Sequence, residues 1–177
     1  MTDEVFEVQF DQHDSFCNSQ FLLARGDRSK LAKSQEAFMT YYEQPMKLRW
    51  DKPHTDTFVQ TLKLRASLIR EEAEETIEAI EHILGKIEDG ADLTKEDATQ
   101  LADGLGDLLY VTAGAGVALN IDIDGVYAEV HRSNMTKLDN DLKPVKREDG
   151  KVLKGPRFEK PDLIWYLPHE LTGFDKE

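Results

Sequence analysis

Cysteine is almost missing from this chain: Cys17 is the one copy in 177 residues. No intrachain disulfide can form, which agrees with a reducing compartment, so a cytoplasmic protein is expected. Long apolar runs are missing as well. None approaches the roughly 18 residues that a membrane helix needs, and the N-terminal MTDEVFEVQF has neither a basic n-region nor an apolar h-region. Neither a transmembrane helix nor a signal peptide is expected. Basic residues are scarce beside acidic ones, 22 Lys and Arg against 35 Asp and Glu, for a formal net charge of -13. Such a surface repels duplex nucleic acid and anionic membrane. A polyphosphate ligand would need metal ions or a local basic patch. The histidines His13, His54, His82, His131 and His169 are scattered and form no HExxH or paired site. No internal repeat and no low-complexity tract is found.

What is present is an ordinary globular composition, 40% hydrophobic and 32% charged, in a chain long enough for one domain with a real core. The pattern divides it into an N-terminal arm (1–28), a helical domain (29–165) and a short tail (166–177). In the arm, Phe6, Val8 and Phe10 alternate with polar residues, as in a short strand or an extended segment. Apolar periodicity predicts helices over 29–43, 55–88, 94–119 and 122–138. Pro45 and Pro53 punctuate the stretch after the first, and Gly90 is a plausible stop for the second. Thr94, with Asp97 three residues on, can cap the third. Four glycines in that helix, Gly104, Gly106, Gly114 and Gly116, point to close helix–helix approach. After Leu138 the text turns rich in Pro, Gly and Lys, with Asp149-Gly150 as a turn.

Two groups of carboxylates fall where solvated acids do not. In Arg70-Glu71-Glu72-Ala73-Glu74-Glu75, Glu72 lies within the apolar arc that Leu68, Ile69, Ala79 and Ile80 define, with Glu75 at its edge. A carboxylate facing a core must be paired or must ligate something, because burying it alone costs several kcal/mol. In Asp103-Gly104-Leu105-Gly106-Asp107 the two aspartates are i and i+4 and share a face. Val111, Gly114 and Ala118 continue that face, while Leu101, Leu105, Leu108 and Leu119 form the opposite one. A helix apolar on both sides is expected to be buried on both sides. Acids held together repel unless a cation sits between them, and oxygen ligands without clustered His or Cys favour Mg²⁺ or Mn²⁺. The competing reading is a buried ion pair with Arg65 or Arg70, and spacing alone leaves both open. Asn120-Ile121-Asp122-Ile123-Asp124-Gly125 imitates half of an EF-hand loop but has His131 at the twelfth position, so it reads as a turn and helix cap. In Glu129-Val130-His131-Arg132-Ser133-Asn134-Met135-Thr136-Lys137, Tyr127, Val130, His131 and Asn134 share a face.

Together, EExxE at Glu71, Glu72 and Glu75, the acidic pair followed by LLYV, and EVHRSNMTK resemble the all-α NTP pyrophosphohydrolase superfamily, which includes MazG, dimeric dUTPases and phosphoribosyl-ATP pyrophosphohydrolase. The string DLLYVTAGAGVALNIDIDGVYAEVHRSNMTKL most resembles the MazG-like branch with dUTPase-type activity. The resemblance covers roughly residues 36–165. It implies a four-helix-bundle-like fold with a mostly irregular C-terminal segment, and Mg²⁺-dependent hydrolysis of a nucleoside triphosphate to a monophosphate and pyrophosphate, with a dUTP- or dCTP-type substrate favoured. Glu72, Glu75 and Asp107 would hold metal, and Glu71 and Glu72 would serve catalysis. Tyr110, Arg132, Asn134, Lys137, Lys151 and Lys154 would meet substrate. The pattern is broken at Gly104, where the second motif has Glu; Asp103 is the natural substitute. By this reading Gly104→Glu should gain helix propensity and tighten Mg²⁺ binding. The resemblance also implies a homodimer, or a tetramer. Two further readings stand beside it: phosphoribosyl-ATP hydrolysis on the same fold, and a catalytically weak nucleotide-binding module, for which Gly104 is the argument.

Overall fold

The computed structural model describes residues 30–173. Among them the regular structure is helical: α1 over Lys30–Tyr41, α2 over Asp56–Glu88, α3 over Lys95–Ala118, α4 over Ile123–Met135, and one turn, α5, over His169–Thr172. A 3-10 turn spans Ile164–Tyr166. No strand occurs among these residues, and pairing is limited to the isolated bridges Leu138–Pro144 and Lys146–Val152. The all-α class expected from periodicity is thus the class found. The arm at 1–28, with Phe6, Val8, Phe10 and Cys17, lies outside the described residues.

Local chemistry sets the helix ends. The Thr55 side chain accepts the Phe58 N–H at 3.3 Å and opens α2. Gly90, at a φ of +70°, closes it. The Gly90 N–H reaches the Ile87 carbonyl at 3.1 Å and the Ala91 N–H reaches that of Lys86 at 2.8 Å, which satisfies carbonyls the helix leaves open. Thr94 and Asp97 form the reciprocal capping box at the start of α3. Asp97 is buried and also accepts from Lys86 Nζ at 2.5 Å. The Lys86 ammonium and the Thr94 donors hold its carboxyl well below the usual aspartate range. The end of α2 is thereby tied to the start of α3. α4 stops at Met135 instead of Leu138, because Ser133 and Thr136 turn to the later chain. The Ser133 hydroxyl donates to the Glu159 carbonyl at 2.7 Å, and Thr136 Oγ1 accepts the Glu159 N–H at 2.8 Å.

The described chain groups into two compact units, residues 30–124 with 163–173, and residues 125–162. In the first, α3 packs against both α1 and α2. Its core holds Ala32, Met39, Val117 and Ala118, with Phe38 and Met46 against them. Small residues permit the close approaches. A Cβ on Gly114 would stand 2.7 Å from Gln35 Oε1, and one on Gly116 would stand 2.8 Å from Ile123 Cβ. Gly106 faces open space. In the second unit, α4 buries Gly125, Glu129 and Ser133 and exposes Tyr127, Val130, His131 and Asn134. Asp149-Gly150 forms the expected turn, with Gly150 at a φ of +84°.

One expectation is overturned. α3 is not buried on both sides: Leu105 is 48% exposed and Leu109 60%. On α2, Ile77, Ile80, Leu84 and Ile87 are exposed as well. No element among the described residues covers this face. No single described helix is long and apolar enough to cross a membrane.

Candidate active site

The two acidic motifs lie on α2 and α3, the pair that the Lys86–Asp97 tie joins. The helices approach closely at Gly104, where a Cβ would meet Thr76 Oγ1 at 3.0 Å and Thr76 Cα at 3.2 Å. Thr76 is one turn beyond Glu72, and its hydroxyl donates to the Glu72 carbonyl at 2.7 Å. The carboxylates therefore flank a tight helix crossing. Glu72 is half-buried, whereas Glu71, Glu75, Asp103 and Asp107 are exposed. Burial pushes the Glu72 carboxyl above its usual range, and the negative charges of Asp107, Glu75, Glu71 and Asp103 push it the same way. The acids singled out in the sequence are thus near enough for their charges to act on Glu72.

An ion pair with Arg65 or Arg70 is not what holds these acids, and none is formed among the described residues. Arg65 is buried, but it donates to Gln44 Oε1 at 2.8 Å and to Met39 Sδ at 3.7 Å. Arg70 is exposed. The donor set, all carboxylate oxygen, suits a hard divalent cation. Among the described residues, however, no three such side chains converge closely enough to form a ready-made metal cage.

The geometry at Gly104 corrects the idea that Glu could simply be restored there. The missing side chain would start against the Thr76 backbone, inside the helix–helix contact. Thr76 is the residue that sequence reasoning missed. Its spacing from Glu72 was visible, but contact with a residue on another helix was not.

Tyr110 lies on α3 one turn past Asp107, and its ring meets that of Phe38 edge-on at 5.7 Å. The remaining residues of the proposed substrate set belong to the second unit. The Arg132 guanidinium is engaged by acids: Nε and Nη2 donate to the two oxygens of Glu129, each at 2.9 Å, and Nη1 donates to Glu159 at 2.7 Å. That pairing, and not a free cation facing substrate, is what the structure gives Arg132. Asn134 is exposed and Lys137 half-buried at the end of α4. Lys151 is exposed, and Lys154 places its ammonium 4.6 Å from the centre of the Phe158 ring.

The sequence profile of the family described as phosphoribosyl-ATP pyrophosphohydrolase matches residues 39–134, more than half of the 177-residue chain. The chain belongs to this family. The matched span holds α2 and α3 entire, together with most of α4, so it includes Glu71, Glu72, Glu75, Asp103 and Asp107. Membership makes the chain a nucleotide pyrophosphohydrolase, a hydrolase of a phosphoanhydride bond, on the all-α NTP pyrophosphohydrolase fold. A search of curated proteins finds no match.

Proposed function

We propose that this pyrophosphohydrolase attacks the α-phosphate of a nucleoside triphosphate, releasing a monophosphate and pyrophosphate, with a dUTP- or dCTP-type substrate preferred. The acid cluster carries the reading. Burial and the charges of Asp107, Glu75, Glu71 and Asp103 all raise the Glu72 carboxyl, and a divalent cation would relieve that repulsion. Glu72, Glu75 and Asp107, helped by Asp103, would hold Mg²⁺ or Mn²⁺. When bound, such an ion neutralises phosphate charge and lowers the pKa of an attacking water. Glu71 would orient or deprotonate that water. The assignment of Asn134, Lys137, Lys151 and Lys154 to the polyphosphate rests on the family resemblance.

The family match favours a second reading, hydrolysis of phosphoribosyl-ATP at the same kind of bond. Rate measurements on a panel of nucleoside triphosphates and phosphoribosyl-ATP, each with Mg²⁺ and with excess EDTA, separate the two. The expected result is faster turnover of a pyrimidine deoxynucleoside triphosphate, lost with EDTA. Preferential turnover of phosphoribosyl-ATP would install the second reading, and full turnover in EDTA would remove the metal.

The proposal includes a homodimer. On α2, Ile77, Ile80, Leu84 and Ile87 recur at spacings of three and four, and Leu105 and Leu109 recur at four on α3. Exposed stripes of this kind are the seams that helices use against one another. A second copy would offer the same stripes in return.

A further inference from the structure

The rings of Phe38 and Tyr42 on and just after α1 lie 4.5 Å apart, and Phe38 meets Tyr110 of α3 edge-on at 5.7 Å. Tyr42 is 59% exposed, so its ring buries little as packing. Tyr110 falls three residues beyond Asp107 and seven beyond Asp103 on one helix, which places it on the stripe the acids occupy, about 4.5 Å along the axis from Asp107. An aromatic cluster with exposed ring surface therefore adjoins the carboxylates.

A second, independent observation lies beside it. Gln35 and Arg65 are 2% and 5% exposed, and Gln35 Nε2 and Arg65 Nε have no hydrogen-bond partner. Buried donors without acceptors are unfavourable, and few occur in a folded protein. The two side chains meet over Gly114, where a Cβ would lie 2.7 Å from Gln35 Oε1 and 3.2 Å from Arg65 Nη1. Gly114 is one turn past Tyr110. Arg65 also bonds Met39, which follows Phe38, and Gln44, two residues past Tyr42. Rings one helical turn along α3 from two unsatisfied donors match a flat heterocycle that carries carbonyl oxygens.

We propose that Phe38, Tyr42 and Tyr110 seat the base of the nucleotide, and that Gln35 and Arg65 select a base that presents carbonyl oxygens over one that presents amino groups. This rests on the pyrophosphohydrolase reading above and names the substrate class of the same site. Stacking supplies affinity for any base, because every base has a π-face. The buried donors supply discrimination, because an amino group in place of a carbonyl would leave them unpaired.

The test is steady-state kinetics with dUTP, dCTP and dATP on wild type, Tyr42→Ala, Tyr42→Trp and Gln35→Met, with inorganic triphosphate as a competitive inhibitor that lacks a base. Tyr42→Ala is expected to raise KM on the order of tenfold for each nucleotide, as loss of one base–aromatic stack implies. The change in kcat should be small, the inhibition constant of inorganic triphosphate should stay put, and Tyr42→Trp should restore KM. Gln35→Met is expected to narrow the preference for dUTP over dATP. An unchanged KM in Tyr42→Ala, or an equal loss of triphosphate inhibition, overturns the base site. An unchanged preference in Gln35→Met overturns the selection. If wild type hydrolyses none of these nucleotides, the functional reading has failed, and calorimetry with UMP decides the base site by itself. Binding by wild type that Tyr42→Ala abolishes supports it, and no binding by wild type overturns it.

Discussion

Replacing Glu72 with Gln is expected to lower kcat on the order of 10³-fold and, in the metal-free protein, to raise the melting temperature. The two effects share a cause. In the metal-free chain, burial and the neighbouring acids disfavour the Glu72 carboxylate, so its carboxyl is raised. A carboxyl raised in the folded state contributes stability at low pH that is lost as pH rises through its folded pKa. At neutral pH the charge therefore strains the fold, and Gln, with the same shape, relieves it. In the proposed catalysis that charge would hold the metal. Metal stabilisation of transition-state charge is worth several kcal/mol, and about 4 kcal/mol corresponds to roughly 10³ in rate. Thermal melts and turnover on the same samples check both signs. A variant that loses activity and melts lower would make Glu72 a structural acid.

Gly104→Glu is expected to destabilise the chain without tightening metal. Helix propensity alone predicts a gain of about 1 kcal/mol on leaving glycine. The contact opposes it, because the new Cβ would sit 3.2 Å from Thr76 Cα, and backbone cannot swing aside as a side-chain tip can. Overpacking of this kind costs about 1–3 kcal/mol, so a net loss of up to about 2 kcal/mol, or up to about 8 °C in melting temperature, is expected. The Mg²⁺ concentration for half-maximal rate should not fall. Asp103→Asn, which leaves that contact intact, should raise it. A Gly104→Glu protein that melts higher and binds Mg²⁺ more tightly would show that α2 and α3 separate readily, and that the glycine is a lost ligand and not a packing residue.

The helix ends and the special place of Glu72 were legible in the sequence because they are local. Thr94 with Asp97, and Gly90 after Glu88, specify caps within a few residues. Glu72 betrays itself by sitting inside an apolar stripe, and it is half-buried. What was not legible depends on pairs of elements. Periodicity identifies an apolar face but not what covers it, so Leu105 reads as core and is exposed. On α4, Glu129 and Ser133 are buried through bonds to Asp162 and Glu159, which periodicity does not reveal. Arg65 looked like a partner for acid and instead finds Gln44. Each of these facts needed the position of residues far along the chain.

Hydrolysis of dUTP in ¹⁸O-labelled water with Mg²⁺, followed by mass spectrometry of the products, bears most directly on the central claim. Water that attacks the α-phosphate places the label in the nucleoside monophosphate and leaves pyrophosphate unlabelled. Label in inorganic phosphate, released beside a nucleoside diphosphate, would contradict the account.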